Sequence, residues 1–247
     1  MMFSLITACA PSDNNINTPN SEKYECISSA VSGLSNAESN PNDKPITESR
    51  ATENADESKE HIVNDILTPE RIPNDMLVLI AQYAPDIILD IRYATTNNFT
   101  HSVIYASSDA YIRYGTLQKL ISVQNELRTY GFGLKIWDAY RPVEAQFKLW
   151  SICPNSDFVA NPNNGYSNHS RGNTIDVTMV TLDGKDVEMP SEFDDFSVKA
   201  HRDYTDDTTE VANNARLLET IMKKHGFTGY KNEWWHFTDT ISYPVVK

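Results

Sequence analysis

A loop that leads into a buried strand is encoded by residues 167–180, SNHSRGNTIDVTMV. Residues 167–172 are small and polar, which is typical of a loop. Residues 174–180 are rich in β-branched side chains, which favour a strand. Asp176 lies in the middle of this strand, where an ionised carboxylate is costly unless it is paired or bound to a cation. The stretch therefore predicts a strand that carries a functional carboxylate.

Helices and strands alternate around this stretch without a repeating βαβ rhythm. Runs of alternating or β-branched residues predict further strands at Ile87–Tyr93, Leu134–Ala139 and Trp234–Phe237. Helices are predicted at Tyr114–Tyr130, Val143–Trp150 and Thr208–His225, two of them from apolar residues at helical spacing. Such a mixture favours an α+β fold, with a central antiparallel sheet and flanking helices.

The N-terminal part of the chain differs in composition from the rest. Residues 10–71 are rich in Asn, Ser, Glu, Asp and Pro, and Tyr24 is their only aromatic residue. Such a segment cannot bury enough apolar surface to offset its chain entropy, so we expect a disordered polar tether there and one folded domain at residues 72–247. Residues 1–75 carry 13 acidic and 5 basic side chains and so hold most of the net charge of −13. No basic stripe indicates a nucleic acid partner.

Cys9 follows a short run of apolar and small residues and precedes the polar tether. This arrangement resembles the cleavage site of bacterial lipoproteins, so we expect residues 1–9 to be a truncated lipoprotein signal and a lipidated Cys9 to tether the protein to a membrane. The protein would then be bacterial and would face the periplasm or the cell surface. The alternative is a frayed cytoplasmic N-terminus with an incidental cysteine. An unlipidated, cytoplasmic product on cell fractionation would contradict the lipoprotein hypothesis.

Two of the six histidines, His169 and His236, suit a metal site together with Asp176. His169 lies in the polar loop before Asp176, and His236 lies between two aromatic residues. Two imidazoles and one carboxylate are a zinc ligand set that leaves a fourth position for water. Each residue also has a structural interpretation: His169 could cap a turn, Asp176 could pair with Arg141, and His236 could be a core histidine. The other four histidines are better explained as surface residues.

Glu233 and Arg141 suit catalytic roles next to such a metal. A carboxylate close to a ligand can take a proton from the attacking water and return it to the leaving amine. Glu233 lies three residues before His236 and could otherwise be an ordinary carboxylate at a strand end. Arg141, held by the following proline, could stabilise the oxyanion of a tetrahedral intermediate. It could equally form a buried ion pair with Asp138 or Asp176.

Three motifs in this order resemble one family. They are DxYRP at residues 138–142, SxHSRGxxID at residues 167–176 and EWWH at residues 233–236. Together they are similar to the D-alanyl-D-alanine dipeptidases of the vancomycin-resistance type, which are zinc peptidases with the fold of D-Ala-D-Ala carboxypeptidases and hedgehog proteins. The resemblance covers roughly Ile87 to Lys247. It departs from the family in the long tether and in a shorter loop at Ser151–Gly165.

The resemblance implies an activity and a role for each site residue. One Zn2+ per chain would be held by His169, Asp176 and His236, with Glu233 as the base and acid and Arg141 as the transition-state clamp. The substrate would be the free dipeptide D-Ala-D-Ala, in cell-wall peptide turnover or glycopeptide resistance, with no obligatory protein partner. Its ammonium group would be surrounded by three further residues, which are Asp194, Tyr93 and Ser167.

Two other functions stay open from the sequence. The first is a D,D- or L,D-carboxypeptidase acting on muropeptides, and Asp194 argues against it because an acylated substrate nitrogen carries no charge to meet an anion. The second is a non-catalytic, zinc-stabilised binding module. Glu233 and Arg141 argue against it, because a structural zinc site needs neither and is closed by a fourth protein ligand.

Overall fold

A five-stranded sheet forms the centre of the domain. The structure is a computed structural model that describes residues 72–156 and 158–246. The expected lipoprotein signal at residues 1–9 with Cys9, and the tether at residues 10–71, lie outside the described residues and stay predictions. Among the described residues, none of the helices combines the length and the apolar character that a membrane crossing requires.

The strands form two sheets. They are β1 (Leu77–Leu79), β2 (Ile88–Leu89), β3 (Tyr111–Arg113), β4 (Phe132–Asp138), β5 (Thr174–Thr181), β6 (Phe227–Tyr230) and β7 (Glu233–Asp239). The large sheet has the order β2-β4-β5-β7-β6, and all its pairs are antiparallel except the edge pair β2–β4. Strands β1 and β3 form a separate antiparallel pair. The α+β fold with a central antiparallel sheet is confirmed.

Among the residues that the structure describes, four α-helices accompany the sheet. They are α1 (Ile80–Tyr83), α2 (Tyr114–Thr129), α3 (Val143–Ile152) and α4 (Thr209–Lys224). The two long helices, α2 and α4, contact one another, and they also contact β4 and β6 respectively. Each buries an apolar stripe, through residues such as Leu120 in α2 and Leu218 in α4. Helix α4 begins where the sequence indicates, because the Thr208 side chain accepts a hydrogen bond from the Val211 N–H at 3.3 Å.

The strand predicted at Ile87–Tyr93 is much shorter than expected. Only Ile88–Leu89 pairs with β4, and Arg92–Ala94 forms a 3-10 turn. The turn is held by Asn98, whose side-chain amide donates to the carbonyl oxygens of Arg92, Thr95 and Ser102 at 3.2, 2.8 and 3.0 Å. These side-chain hydrogen bonds within the loop override the strand propensity of the run. As a result Tyr93 leaves the sheet and is buried against aromatic residues such as Phe193.

Three adjacent strands bring polar residues into one row across the sheet. Asp138 at the end of β4 pairs with Asp176 on β5, and Asp176 pairs with His236 on β7. A bulge between Ile136 and Asp138 interrupts the β4–β5 register just before this row. Residues from three distant parts of the chain therefore meet because the sheet pairs them.

Candidate active site

His169 is presented by a tight turn immediately before β5. Ser167 opens this 3-10 turn, Asn168–Arg171, and its hydroxyl accepts from the His169 N–H at 3.3 Å. Gly172 ends it with a φ of +72°, where a Cβ would lie 2.7 Å from a Leu77 methyl group. The His169 ring is oriented by its Nδ1–H, which donates to the Ala139 carbonyl at 2.7 Å. This bond leaves Nε2 as the atom with a free lone pair.

The side chains of His169, Asp176 and His236 converge. His169 Nε2 lies 3.3 Å from His236 Nδ1 and 3.4 Å from Asp176 Oδ1, and His236 Nδ1 lies 3.1 Å from Asp176 Oδ1. Ligand atoms about 2.0–2.1 Å from a tetrahedral zinc ion are about 3.3 Å from one another. The three separations fit such an ion, with one coordination position left.

The charge of Asp176 also fits a cation ligand. Burial by itself would raise the pKa of Asp176, but the imidazoles of His169 and His236 hold it well below its usual range. The carboxylate is therefore ionised, although the residue is only 3% exposed. Its Oδ1 has only the two imidazole nitrogens as close partners, at 3.1 and 3.4 Å, and a buried carboxylate of this kind is costly unless it is paired or bound to a cation.

Glu233 lies beside the three converging side chains, at the start of β7. Its Oε2 is 3.3 Å from His236 Nδ1, and the side chain is half-buried in the cavity wall. Burial raises the pKa of Glu233 to about 7, assisted by the negative charges of Asp176 and Asp194 and opposed by His236. A carboxyl group with a pKa near neutrality can both accept and return a proton, which suits a general base and acid.

Arg141 is held rigidly by side chains behind it. Its Nη2 and Nε donate to Asp138 Oδ2 at 2.6 and 3.0 Å, and its Nη1 donates to Gln146 Oε1 at 2.9 Å. Of the two ion pairs that the sequence left open, the structure shows the one with Asp138. Asp138 also accepts from the Tyr105 hydroxyl at 2.7 Å. Because Arg141 also lines the cavity, the ion pair and a role in substrate binding are compatible.

Asp194 and Tyr93 form an acidic pocket wall. The Tyr93 hydroxyl donates to Asp194 Oδ1 at 3.1 Å, and the Phe99 N–H donates to Oδ2 at 3.4 Å. Burial raises the pKa of Asp194 to about 7, with a further contribution from the charge of Asp176. Burial and the Asp194 charge also raise the pKa of Tyr93, so its hydroxyl stays protonated. Asp194 adopts a φ of +60°, an uncommon conformation that directs its side chain here.

One cavity of about 280 Å3 contains all eight residues that the sequence singled out. Four of the residues that shape it or hold its members were missed by sequence reasoning: Gln146, Phe158, Phe196 and Tyr230. Phe158 and Phe196 stack with ring centroids 4.3 Å apart. No spacing signal marks these two phenylalanines, because they come from separate loops. His101, His201 and His225 do not line the cavity, and His61 lies outside the described residues.

Comparison with known proteins shows the family of the chain. Residues 74–243 match the family model Peptidase_M15, described as D-ala-D-ala dipeptidase. The chain belongs to this family. A D-alanyl-D-alanine dipeptidase of Escherichia coli (strain K12) is 34% identical over 172 residues, which are 69% of this chain and 89% of that protein. One of Enterococcus faecium is 34% identical over 168 residues, which are 60% of this chain and 83% of that protein.

A solved structure, VanYB in complex with D-Alanine-D-Alanine, also overlaps with the chain. It has 17% identity and a TM-score of 0.37, and the alignment covers 55% of this chain and 75% of that one. The family membership rests on the match over residues 74–243 and on the relatives at 34% identity.

Proposed function

We propose that this protein is a zinc-dependent dipeptidase that hydrolyses D-Ala-D-Ala to two molecules of D-Ala. The observation that carries the proposal is the cluster of His169 Nε2, Asp176 Oδ1 and His236 Nδ1, 3.1–3.4 Å apart, with Glu233 3.3 Å from His236. It is the one group of three such side chains within ligand distance among the described residues. This supports one zinc ion per chain. The family and its D-Ala-D-Ala dipeptidase relatives support the substrate.

The reaction divides between the metal and the protein side chains. His169, Asp176 and His236 would hold the zinc ion, which would supply a Lewis acid in the cavity. Glu233 takes the proton of the attacking water and delivers it to the amine nitrogen that leaves as the peptide bond breaks. Arg141, already oriented by Asp138 and Gln146, stabilises the negative charge that develops on the carbonyl oxygen. Because Arg141 is held before substrate binds, little reorganisation is needed during the reaction.

The acidic wall accounts for a preference for free dipeptides. A free dipeptide has a charged ammonium group, and the Asp194 carboxylate with the Tyr93 hydroxyl offers it a half-buried anion. An acylated substrate has a neutral amide there and would leave Asp194 unpaired, which is costly. Ser167 lies on the same cavity wall. Its hydroxyl oxygen already accepts from His169, so we infer that it contacts the substrate through its hydroxyl hydrogen.

Comparing two substrates tests the proposed function. We expect the zinc-loaded protein to hydrolyse D-Ala-D-Ala at least about 100-fold faster, in kcat/KM, than N-acetyl-D-Ala-D-Ala, since a charged partner lost from a desolvated pair costs about 3 kcal/mol. Chelation should abolish the activity, and added zinc should restore it. Equal or better hydrolysis of the acetylated substrate would indicate a carboxypeptidase. Absence of hydrolysis at full zinc occupancy would indicate a binding module.

Asp194→Asn is expected to weaken substrate binding and to stabilise the metal-free protein. The pKa of Asp194 is about 7 in the folded protein, and its unfolded value is about 3.9. At pH values between these two pKa values, Asp194 is ionised in the unfolded chain but still protonated in the folded protein. The free energy of unfolding therefore falls as the pH rises. The full difference corresponds to about 4 kcal/mol, and we expect less because the group is half-exposed to cavity water.

The measurement for Asp194→Asn is thermal unfolding of the metal-free protein at about pH 4 and about pH 8. The variant should unfold at a higher temperature than the wild type at the upper pH and at a similar temperature at the lower pH. With zinc restored, its KM for D-Ala-D-Ala should rise while kcat changes less. An unchanged KM would remove Asp194 from substrate recognition.

A further inference from the structure

Arg202 lies against the hairpin that carries two of the proposed active-site residues. It follows a 3-10 turn at Val198–Ala200 and does not line the active-site cavity. Its Nε donates to the Tyr230 carbonyl at 2.8 Å, and its Nη2 donates to the His236 carbonyl at 2.8 Å. Its backbone N–H also donates to the Lys231 carbonyl at 3.1 Å. These bonds join both strands of the β6–β7 hairpin.

The guanidinium group is itself fixed in place. Its Cζ lies 4.3 Å from the centre of the Phe237 ring, and its Nη1 lies 3.5 Å from Glu219 Oε2. The Tyr204 hydroxyl donates to the same Glu219 oxygen at 3.2 Å. The Arg202 side chain is only 9% exposed. The Phe237 ring, the Glu219 carboxylate and the two carbonyl groups thus contact the guanidinium on several sides, which favours one orientation.

Gly229 provides the space in which the guanidinium group lies. A Cβ at Gly229 would be 2.4 Å from Arg202 Cζ and 2.6 Å from Nε, which is closer than non-bonded atoms approach. Gly229 pairs with Phe237, and the β6–β7 register shifts between Gly229 and Tyr230. Three residues of β7, 234–236, therefore lie between the partners of two consecutive residues of β6. The missing side chain and the register shift both occur where Arg202 crosses the hairpin.

We propose that Arg202 is a positioning residue of the active site, which acts through the backbone of residues 230–236. This segment contains Glu233 and His236, and Arg202 binds it at both ends. On the other side, His236 is held by its pairing with Asp176. The distances of 3.1 Å from His236 Nδ1 to Asp176 and 3.3 Å to Glu233 therefore depend on a hairpin that Arg202 keeps in register. The inference rests on the proposed zinc dipeptidase function.

The test compares Arg202→Met, Arg202→Lys and a matched control, Arg216→Gln. Arg216 is also an arginine close to Tyr204, with its Cζ 5.8 Å from that ring. The readouts are the zinc dissociation constant by chelator competition, kcat and KM separately, and thermal unfolding of the metal-free protein. Removing a partner that orients a metal ligand typically costs about 10–100-fold in metal affinity or activity.

We expect Arg202→Met to weaken zinc binding about 10-fold or more and to lower kcat by a similar factor, with KM within about twofold. Arg202→Lys should recover only part of the loss, because an ammonium group does not reproduce the two diverging N–H donors. Arg216→Gln should leave zinc affinity and kcat unchanged. Wild-type zinc affinity and kcat in a folded Arg202→Met protein would overturn the proposal. A wild-type protein that binds zinc without hydrolysing D-Ala-D-Ala would instead refute the proposed function.

Gly229→Ala tests the contact between Arg202 and the hairpin by changing the hairpin instead of the arginine. In the wild type, the added methyl group should displace the guanidinium and weaken zinc binding about as much as Arg202→Met. In the Arg202→Met background it should add little, because a flexible methionine can yield to it. Additive losses in zinc affinity would contradict the proposal. If Arg202→Met does not fold, a Gly229→Ala protein that folds with unchanged zinc affinity and kcat decides against it.

Discussion

Glu233→Gln is expected to lower kcat for D-Ala-D-Ala by about 1,000-fold while zinc stays bound. General acid–base catalysis contributes about 100- to 10,000-fold, and Glu233 is proposed to serve both proton transfers. The amide of glutamine has a similar shape but cannot accept the proton of the attacking water. Because the three proposed ligands are unchanged, zinc content by elemental analysis should equal that of the wild type. The rate should be measured at saturating dipeptide, so that it reports the chemical step.

The control for this substitution is Glu210→Gln. Glu210 is an exposed carboxylate in the first turn of α4 and does not line the cavity. Its removal should change neither kcat nor zinc content. Unchanged turnover in zinc-loaded Glu233→Gln would remove Glu233 from its catalytic role. Loss of zinc together with loss of turnover would instead mean that Glu233 contributes to metal binding.

Asp176→Asn is expected to abolish activity by a different route, the loss of zinc. Asp176 is the one anionic member of the ligand cluster, and its Oδ1 lies within 3.4 Å of both imidazoles. Even removal of an outer partner of a metal ligand costs about 10–100-fold in affinity. Replacing the charged ligand itself should therefore weaken zinc binding by more than about 100-fold. Chelator competition at neutral pH measures the change.

Asp183→Asn is the matched control for Asp176→Asn. Asp183 is an exposed carboxylate in the turn that follows the same strand, so its loss should leave zinc binding as in the wild type. A wild-type zinc affinity in the Asp176→Asn protein would contradict the proposed ligand set. The two site variants should thus differ: Glu233→Gln is inactive with zinc, and Asp176→Asn is inactive without it.

Secondary structure was predictable wherever local patterns and tertiary contacts agree. Strand β5 and helices α2 and α4 lie within a few residues of their predicted positions, because the strand is rich in β-branched residues and the two helices carry apolar residues at helical spacing. The run at Ile87–Tyr93 was misjudged, since the contacts of Asn98 and the burial of Tyr93 convert its second half into a turn. Strands β1, β3 and β6 are too short to show a period of two.

The chemistry of the site could be read from residue types in order along the chain. Imidazole, carboxylate and guanidinium groups have the same ligand and proton chemistry wherever they occur. Residue types together with the motif resemblance therefore predict roles for five residues, which are His169, Asp176, His236, Glu233 and Arg141. Spacing did not say which atoms face one another. Only strand pairing between β5 and β7 brings residues 176 and 236 together, and only the turn before β5 directs His169 Nε2 inward.

The sequence does not give the distances between side chains. For this reason it allows two ion-pair partners for Arg141 and does not single out Arg202. The strength of a hydrogen bond falls when the donor–acceptor distance lengthens by a few tenths of an ångström. The number of residues between two groups in the sequence does not give that distance. In the folded chain, Asp138 is the partner of Arg141, and Arg202 contacts a hairpin about thirty residues further along the sequence. The sequence by itself determined which reactions the side chains can support, because reactivity belongs to the chemical group. Tertiary structure alone decided which groups act together, because that depends on distances between strands that only the folded sheet creates.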